Sequence, residues 1–176
     1  MALLAYSLPK IQSLQPAVQP LAARLLELAA ERGIPSRIVQ GERSLAEQQA
    51  LYDSGRGVTK APAGLSYHNY GLAFDVVPDS YVNLPDWNPT GPHWAVLGSI
   101  GESLGLSWGG RWQQKDLPHF ELNAVPVRDL KAYWDKFKAI MPVTLTPSTA
   151  GTAVILLIGA SWWLWLGPLM KKYRLI

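Results

Sequence analysis

No cysteine occurs among the 176 residues of the chain. That excludes disulfides and every thiolate-based metal site, so any zinc must be held by imidazole and carboxylate. Histidine is scarce too, with three in the whole chain, which makes the place of each one informative. Charged residues are few, at 16%, and there is no excess of basic charge over most of the length. Residues 1–140 hold 13 Lys or Arg against 13 Asp or Glu, and the formal charge of +3 comes entirely from Lys171, Lys172 and Arg174. A balanced body argues against a polyanion groove and hence against nucleic acid as a partner. A basic tail after an apolar run reads instead as a membrane flank. The opening "MALLAYSLPKIQSLQP" has no basic region ahead of an apolar core and no clear small-residue cleavage site, so no cleavable signal peptide is read there.

Apolar residues make up 48%, enough for one packed domain with some chain left over. "LAARLLELAAERG" has helical periodicity and closes at Gly33, and "IPSRIVQG" reads as a short strand. "SLAEQQALYDSG" follows as a helix, with Ser44 and Glu47 at capping-box spacing and Gly55 as its stop. "GLAFDVV" and "HFEL" are strands, while "HWAVLGSIGESLGL" and "VRDLKAYWDKFKAI" are helices. Helices mixed with short strands, without βαβ regularity or an internal repeat, predict an α+β domain over residues 1–140. "MPVTLTPSTAG" supplies a linker at 141–150. Residues 151–170, "GTAVILLIGASWWLWLGPLM", carry no charge and match the ~30 Å hydrocarbon thickness of a bilayer. Trp162, Trp163 and Trp165, with the basic tail 171–176, complete an interfacial pattern. A transmembrane helix is therefore expected at 151–170, with a buried core helix as the other reading.

Asp75 sits inside the apolar run "LAFDVV", with no Lys or Arg nearby to pair with a carboxylate that would be costly to bury alone. His68 lies seven residues earlier, in a loop that turns at Gly71, and His119 opens the strand "HFEL". Two neighbouring strands can gather these three groups around one ion. Zinc suits two imidazoles and a carboxylate with a fourth position left for water, whose pKa it lowers towards about 7. Asp116, three residues before His119, is placed to serve as general base and then to return the proton to a leaving amine. On spacing alone the alternative stands beside it: a surface His68, an Asp75 capping a turn, and a His119 half-buried beside Trp112.

"SYHNYGLAFDV" together with "GLSWGGRWQQKDLPHFEL" resembles the VanY-like zinc peptidases, the family of D-Ala-D-Ala carboxypeptidases and L-alanoyl-D-glutamate endopeptidases. Ser66, His68 and Asp75 match its Ser–x–His–x6–Asp motif, and Asp116 with His119 match its second, acidic–x–x–His motif. "RSLAEQQALYDSGR", the "WGG" turn at 108–110 and "PHFEL" are particularly similar to the phage endolysin branch, and the likeness covers about residues 35–123. The resemblance implies a Hedgehog-type α+β fold, one zinc held by His68, Asp75 and His119, and Asp116 as catalytic acid or base. Arg43 matches a family arginine expected to face the site, where its guanidinium can hold a substrate carboxylate or the oxyanion. Ser66 is expected to bind substrate or orient His68, and Tyr67, Tyr70 and Trp112 to line the cleft. His93 falls outside the ligand pattern, Arg56 in "SGRG" reads as a solvated loop charge with a glycan or peptide contact as the other reading, and Arg111 replaces an acidic residue sometimes found after the "WGG" turn.

The expected activity is hydrolysis of peptidoglycan stem peptides, most simply between L-Ala and D-Glu as in lytic phage enzymes, acting at the cell wall from a membrane tether. D-Ala-D-Ala carboxypeptidase is the enzymatic alternative. A zinc-stabilised wall-peptide binding module and a membrane-perturbing lysis factor are the alternatives of another class.

Overall fold

The computed structural model describes residues 2–79 and 85–138. Contacts divide the chain into two units, Met1–Asn123 and Ala124–Ile176. The opening stretch, for which the sequence suggested no element, forms a helix, α1 (Ala2–Gln12), with Pro9 inside it. Its role is tertiary: the buried Ser7 hydroxyl accepts the backbone N–H of Ile38 at 3.1 Å, so α1 is fastened to a strand. A second helix, α2 (Gln19–Glu31), buries Ala22, Leu25, Leu26 and Ala29, the one-sided spacing that its sequence displays. Gly33 follows it at φ +73, a left-handed position that Gly occupies without penalty.

Strand β1 (Ser36–Gln40) leads into α3 (Leu45–Asp53), and the Ser44–Glu47 capping box is present in both directions. Such a cap contributes about 1 kcal/mol to the helix start. A 3-10 turn at Tyr67–Tyr70 then delivers the chain into β2 (Ala73–Pro78). Helix α4 (His93–Ser103) begins at His93, as the sequence indicated. Two short strands complete the sheet, β3 (Ser107–Trp108) and β4 (His119–Glu121), separated by a 3-10 turn at Gly109–Arg111. The four strands run in the order β1-β2-β4-β3, with each neighbouring pair antiparallel.

Strand alternation gives the sheet two unlike faces. On one face Phe74 and Phe120, both fully buried, stack at 5.9 Å between ring centroids beside Val76 and Trp108. Helix α4 closes over that face at Gly98 and Gly101, where an added Cβ would run into the Trp108 and Phe120 rings. Burying each such aromatic contributes roughly 1.5–3 kcal/mol. On the other face stand Asp75, His119 and Glu121, and there the chemistry collects. At the sheet's end Arg111 makes a paired bond to Glu102 of α4, Nε–Oε1 and Nη2–Oε2 both 2.9 Å.

In the second unit, helix α5 (Val127–Lys138) starts where the carbonyl of Pro126 accepts the N–H groups of Asp129 and Leu130. Among the described residues no helix is long and apolar enough to cross a membrane. The linker at 141–150 and the apolar run at 151–170 lie outside the described residues.

Candidate metal and catalytic centre

The ladder between β2 and β4 sets Asp75 opposite His119, which puts both side chains on the same face at neighbouring positions. His68 arrives from the 3-10 turn just ahead of β2, redirected by Gly71 at φ +63. The three donor atoms converge. His68 Nε2 lies 3.2 Å from His119 Nδ1 and 3.4 Å from Asp75 Oδ1, and His119 Nδ1 lies 3.3 Å from the same Oδ1. One ligand atom from each residue falls within 4.8 Å of the others, a group that can hold a metal ion.

Each imidazole is oriented through its far nitrogen. His68 Nδ1 lies 2.8 Å from the carbonyl of Gly41, which fixes that nitrogen as the donor and leaves Nε2 to face inward. His119 Nε2 lies 3.0 Å from Glu121 Oε2, which leaves Nδ1 to face inward. Both histidines are buried, and the Asp75 side chain keeps only 19% of its exposure. Two neutral nitrogens and one carboxylate oxygen, with their tautomers set from behind, fit zinc with an open fourth position.

The electrostatics are those of a site made for a cation. Burial pushes the Asp75 carboxyl up, but the hydrogen bonds and charge of His119 and His68 outweigh it and hold Asp75 well below the usual carboxylate range. Burial pushes the His119 imidazole down, yet Asp75 and Glu121 more than offset this and raise it to about 9.

Asp116 is held by its backbone: its N–H donates to Gly109 O at 3.0 Å, and its own carbonyl accepts the N–H of His119 at 3.2 Å. Loss of hydration raises the pKa of its carboxyl and the charge of Asp75 raises it further, against the opposing pull of His119, His68 and Arg43. The residue as a whole remains exposed to solvent, so water reaches it.

Arg43 lies near enough for its charge to act on Asp116. Its N–H donates to His68 O at 3.0 Å, and its Nη1 donates to Gln48 Oε1 at 2.9 Å. Among the described residues it forms no salt bridge; Glu47, one alternative partner, is engaged with Ser44 instead. Gln48, fully buried, is itself fixed by bonds to Thr59 Oγ1 and Ala61 O.

Trp112 stands at the rim, 40% exposed, with its ring centroid 5.0 Å from that of His119. Tyr67 is half-buried beside His68. Tyr70 departs from expectation: it is 1% exposed and its hydroxyl donates to Gly64 O, so it belongs to the core rather than the cleft wall. Ser66 does not orient His68, because Gly41 does; its carbonyl instead accepts the N–H of Asn69. Arg56 lies exposed in the loop after α3.

Sequence reasoning missed Gly41, Gln48 and Glu121. For Glu121 a signal existed, since a residue two after His119 on a strand must share its face. The other two act through a carbonyl and a neutral amide, which leave no mark in a residue pattern.

Residues 59–122 match the family described as D-alanyl-D-alanine carboxypeptidase, a stretch that includes His68, Asp75, Asp116 and His119. The chain is 38% identical over 128 residues to the peptidoglycan L-alanyl-D-glutamate endopeptidase CwlK of Bacillus subtilis (strain 168), covering 65% of this chain and 77% of that one. Its structure is similar to that of the L-Ala D-Glu endopeptidase ChiX of Serratia marcescens, at TM-score 0.53 and 27% identity, over 72% of this chain and 91% of that one. The fold is shared more distantly with the LD-carboxypeptidase LdcB, at TM-score 0.51 and 19% identity, over 70% of this chain and 64% of that one. With two separated motifs in order, their side chains brought to one point and a relative of this closeness, the chain belongs to the VanY-like family of zinc peptidases.

Proposed function

We propose that this chain is a zinc-dependent endopeptidase that hydrolyses the L-Ala–D-Glu bond of peptidoglycan stem peptides. The observation that carries the reading is the kinship with CwlK, which spans 77% of that enzyme's length, beside a family match over residues 59–122 that includes the His68, Asp75, Asp116 and His119 positions. In this reading His68, Asp75 and His119 hold the metal, Asp116 moves the proton, and Arg43 holds a substrate oxygen. Zinc, when bound, supplies a Lewis acid and makes water nucleophilic near neutral pH.

The residues divide the remaining work. The Asp116 carboxylate takes a proton from the attacking water as oxygen adds to the L-Ala carbonyl carbon. It then passes that proton to the D-Glu nitrogen as the C–N bond breaks, and the second water proton leaves the new L-Ala carboxyl for the D-Glu amine or solvent, so a carboxylate and an ammonium group result. A carboxyl whose pKa is raised above the ordinary value is suited to hold a proton between those two steps. Among the described residues the Arg43 guanidinium hydrogen-bonds to a neutral partner, Gln48, and forms no salt bridge, which keeps its charge available for a substrate carboxylate or the developing oxyanion. Trp112 offers a flat wall beside His119.

The test is mass spectrometry of purified peptidoglycan after digestion with the full chain, with and without chelator. New D-Glu amino termini, lost on chelation and restored by zinc, are expected. Release of D-Ala alone would replace this reading with the carboxypeptidase one, which the description of the matching family favours.

The sequence of residues 151–170 supports a membrane tether for a lytic enzyme of the endolysin type, with Lys171, Lys172 and Arg174 at the interface. Fractionation is expected to place the full chain with membranes and a chain ending at residue 142 in the soluble fraction. Equal partition of the two would remove the tether.

A further inference from the structure

Glu121 is a buried carboxylate whose place needs explaining. It sits on β4, 7% exposed, and its side chain meets the far nitrogen of His119 at 3.0 Å. Among the described residues it forms no ion pair with any Lys or Arg; its recorded partner is that imidazole. Burying a carboxylate against one ring costs several kcal/mol unless a positive charge close by offsets it. On the opposite side of the same ring, Nδ1 meets His68 Nε2 and the anionic Asp75 carboxylate, so a proton on the ring offsets the two carboxylates in the metal-free protein and a bound cation would take that proton's place.

We propose that Glu121 is a positioning residue for the metal centre, which locks His119 with Nδ1 facing inward and completes the charge balance of a dication. This rests on the metal-centre reading given above and deepens it. Three features of the fold carry it. First, β4 is only three residues long, and alternation places positions 119 and 121 on one face. Second, the register pairs Glu121 with Ala73 on β2 and with Ser107 on β3, both small residues that leave its carboxylate room to turn along the strand towards His119. Third, the two histidines are oriented by unlike acceptors: a neutral carbonyl, Gly41 O, behind His68, and an anion behind His119. The anionic acceptor makes the His119 ring the more electron-rich ligand. Asp75 and Glu121 together bring two negative charges, the number that cancels a divalent ion, on side chains that are themselves largely shielded from solvent.

Glu121→Gln keeps shape and an acceptor oxygen but removes the charge, and Glu121→Ala removes both. Three measurements on the full chain test them. Zinc affinity is read by competition with a chromophoric chelator, the melting temperature is read in excess chelator, and the His119 Nε2–H resonance is read in the zinc-loaded protein. Wild type is expected to bind zinc and to show a slowly exchanging, far-downfield Nε2–H proton. Zinc affinity is expected to fall on the order of 10- to 100-fold in Glu121→Ala, the range for such outer partners, with Glu121→Gln between it and wild type. The downfield proton should move upfield in Glu121→Gln.

Variants that bind zinc within twofold of wild type, with the resonance in place, would overturn the role of Glu121 and leave the metal centre standing. A wild-type chain that takes up no zinc would overturn both. Should Glu121→Ala fail to fold, the near-isosteric Glu121→Gln decides alone. Its melting temperature in chelator separates a general loss of stability from a loss of metal affinity.

Discussion

Asp116→Asn is expected to leave zinc uptake unchanged and to lower the rate of stem-peptide cleavage by about 10²- to 10⁴-fold, the range that a positioned acid–base group contributes. The substitution is nearly isosteric, and the bonds that place residue 116 are backbone ones, from its N–H to Gly109 O and from His119 N–H to its carbonyl. Those bonds survive the change. The amide, however, cannot accept a proton from water and return it to the D-Glu nitrogen. Gly109 makes the site sensitive to backbone shifts as well, because an added Cβ there would meet the Asp116 carbonyl and approach the Cβ of His119. Cleavage of purified peptidoglycan, followed by new amino termini and paired with a zinc titration, checks the prediction. A loss of less than tenfold with zinc bound would move the proton-transfer role to another group.

The second large effect concerns the protein without its metal. His119, with its pKa raised from the ordinary 6.5 to about 9, takes up a proton on folding. Its contribution to stability is complete below pH 6.5 and is lost as the pH rises through about 9. For a buried ring held by two carboxylates that contribution is on the order of 3 kcal/mol. Asp75 works in the opposite sense: depressed below its ordinary 3.8, it stabilises above that value and stops doing so as the pH falls beneath it. Chelator-treated protein should therefore be most resistant to urea between about pH 4 and 6.5, and should weaken steadily towards pH 9. Zinc-loaded protein should not weaken in that alkaline range, since a metal on Nδ1 excludes the proton, and zinc uptake near pH 7.5 should release about one proton. Urea midpoints from pH 5 to 9.5, with and without zinc, make the comparison. A flat profile for the chelator-treated protein would mean that His119 does not carry this proton.

The positions that could hold a metal were legible in the sequence. His68, Asp75 and His119 stood out because imidazoles are rare here and a carboxylate inside an apolar run needs a partner, and the structure brings all three together. The capping box at Ser44 and Glu47 was legible because it is local. What stayed hidden depends on distant partners. Helix α1 has no strong pattern of its own and owes its place to Ser7 and the β1 edge. Strand β3 is two residues long, too short for any alternation to be read, and exists because β4 pairs with it. Tyr70 looked like a cleft residue through its neighbours in the motif, but the 3-10 turn that aims His68 at Asp75 and His119 aims Tyr70 into the core.

The carbonyl of Gly41 has a consequence for how small a working enzyme can be. A Cβ at position 41 would collide with the carbonyl of Lys10 and the hydroxyl of Ser13, so the His68 acceptor is pressed directly against the end of α1. Ser13 Oγ also takes the N–H of Glu42, and Gln15 reaches Gly71 and Tyr70 on the far side of His68. The first fifteen residues thus grip the chain on both flanks of one ligand. They lie upstream of the matched family region and of both motifs, yet a minimal catalytic fragment cut to those motifs would discard the clamp that keeps His68 aimed.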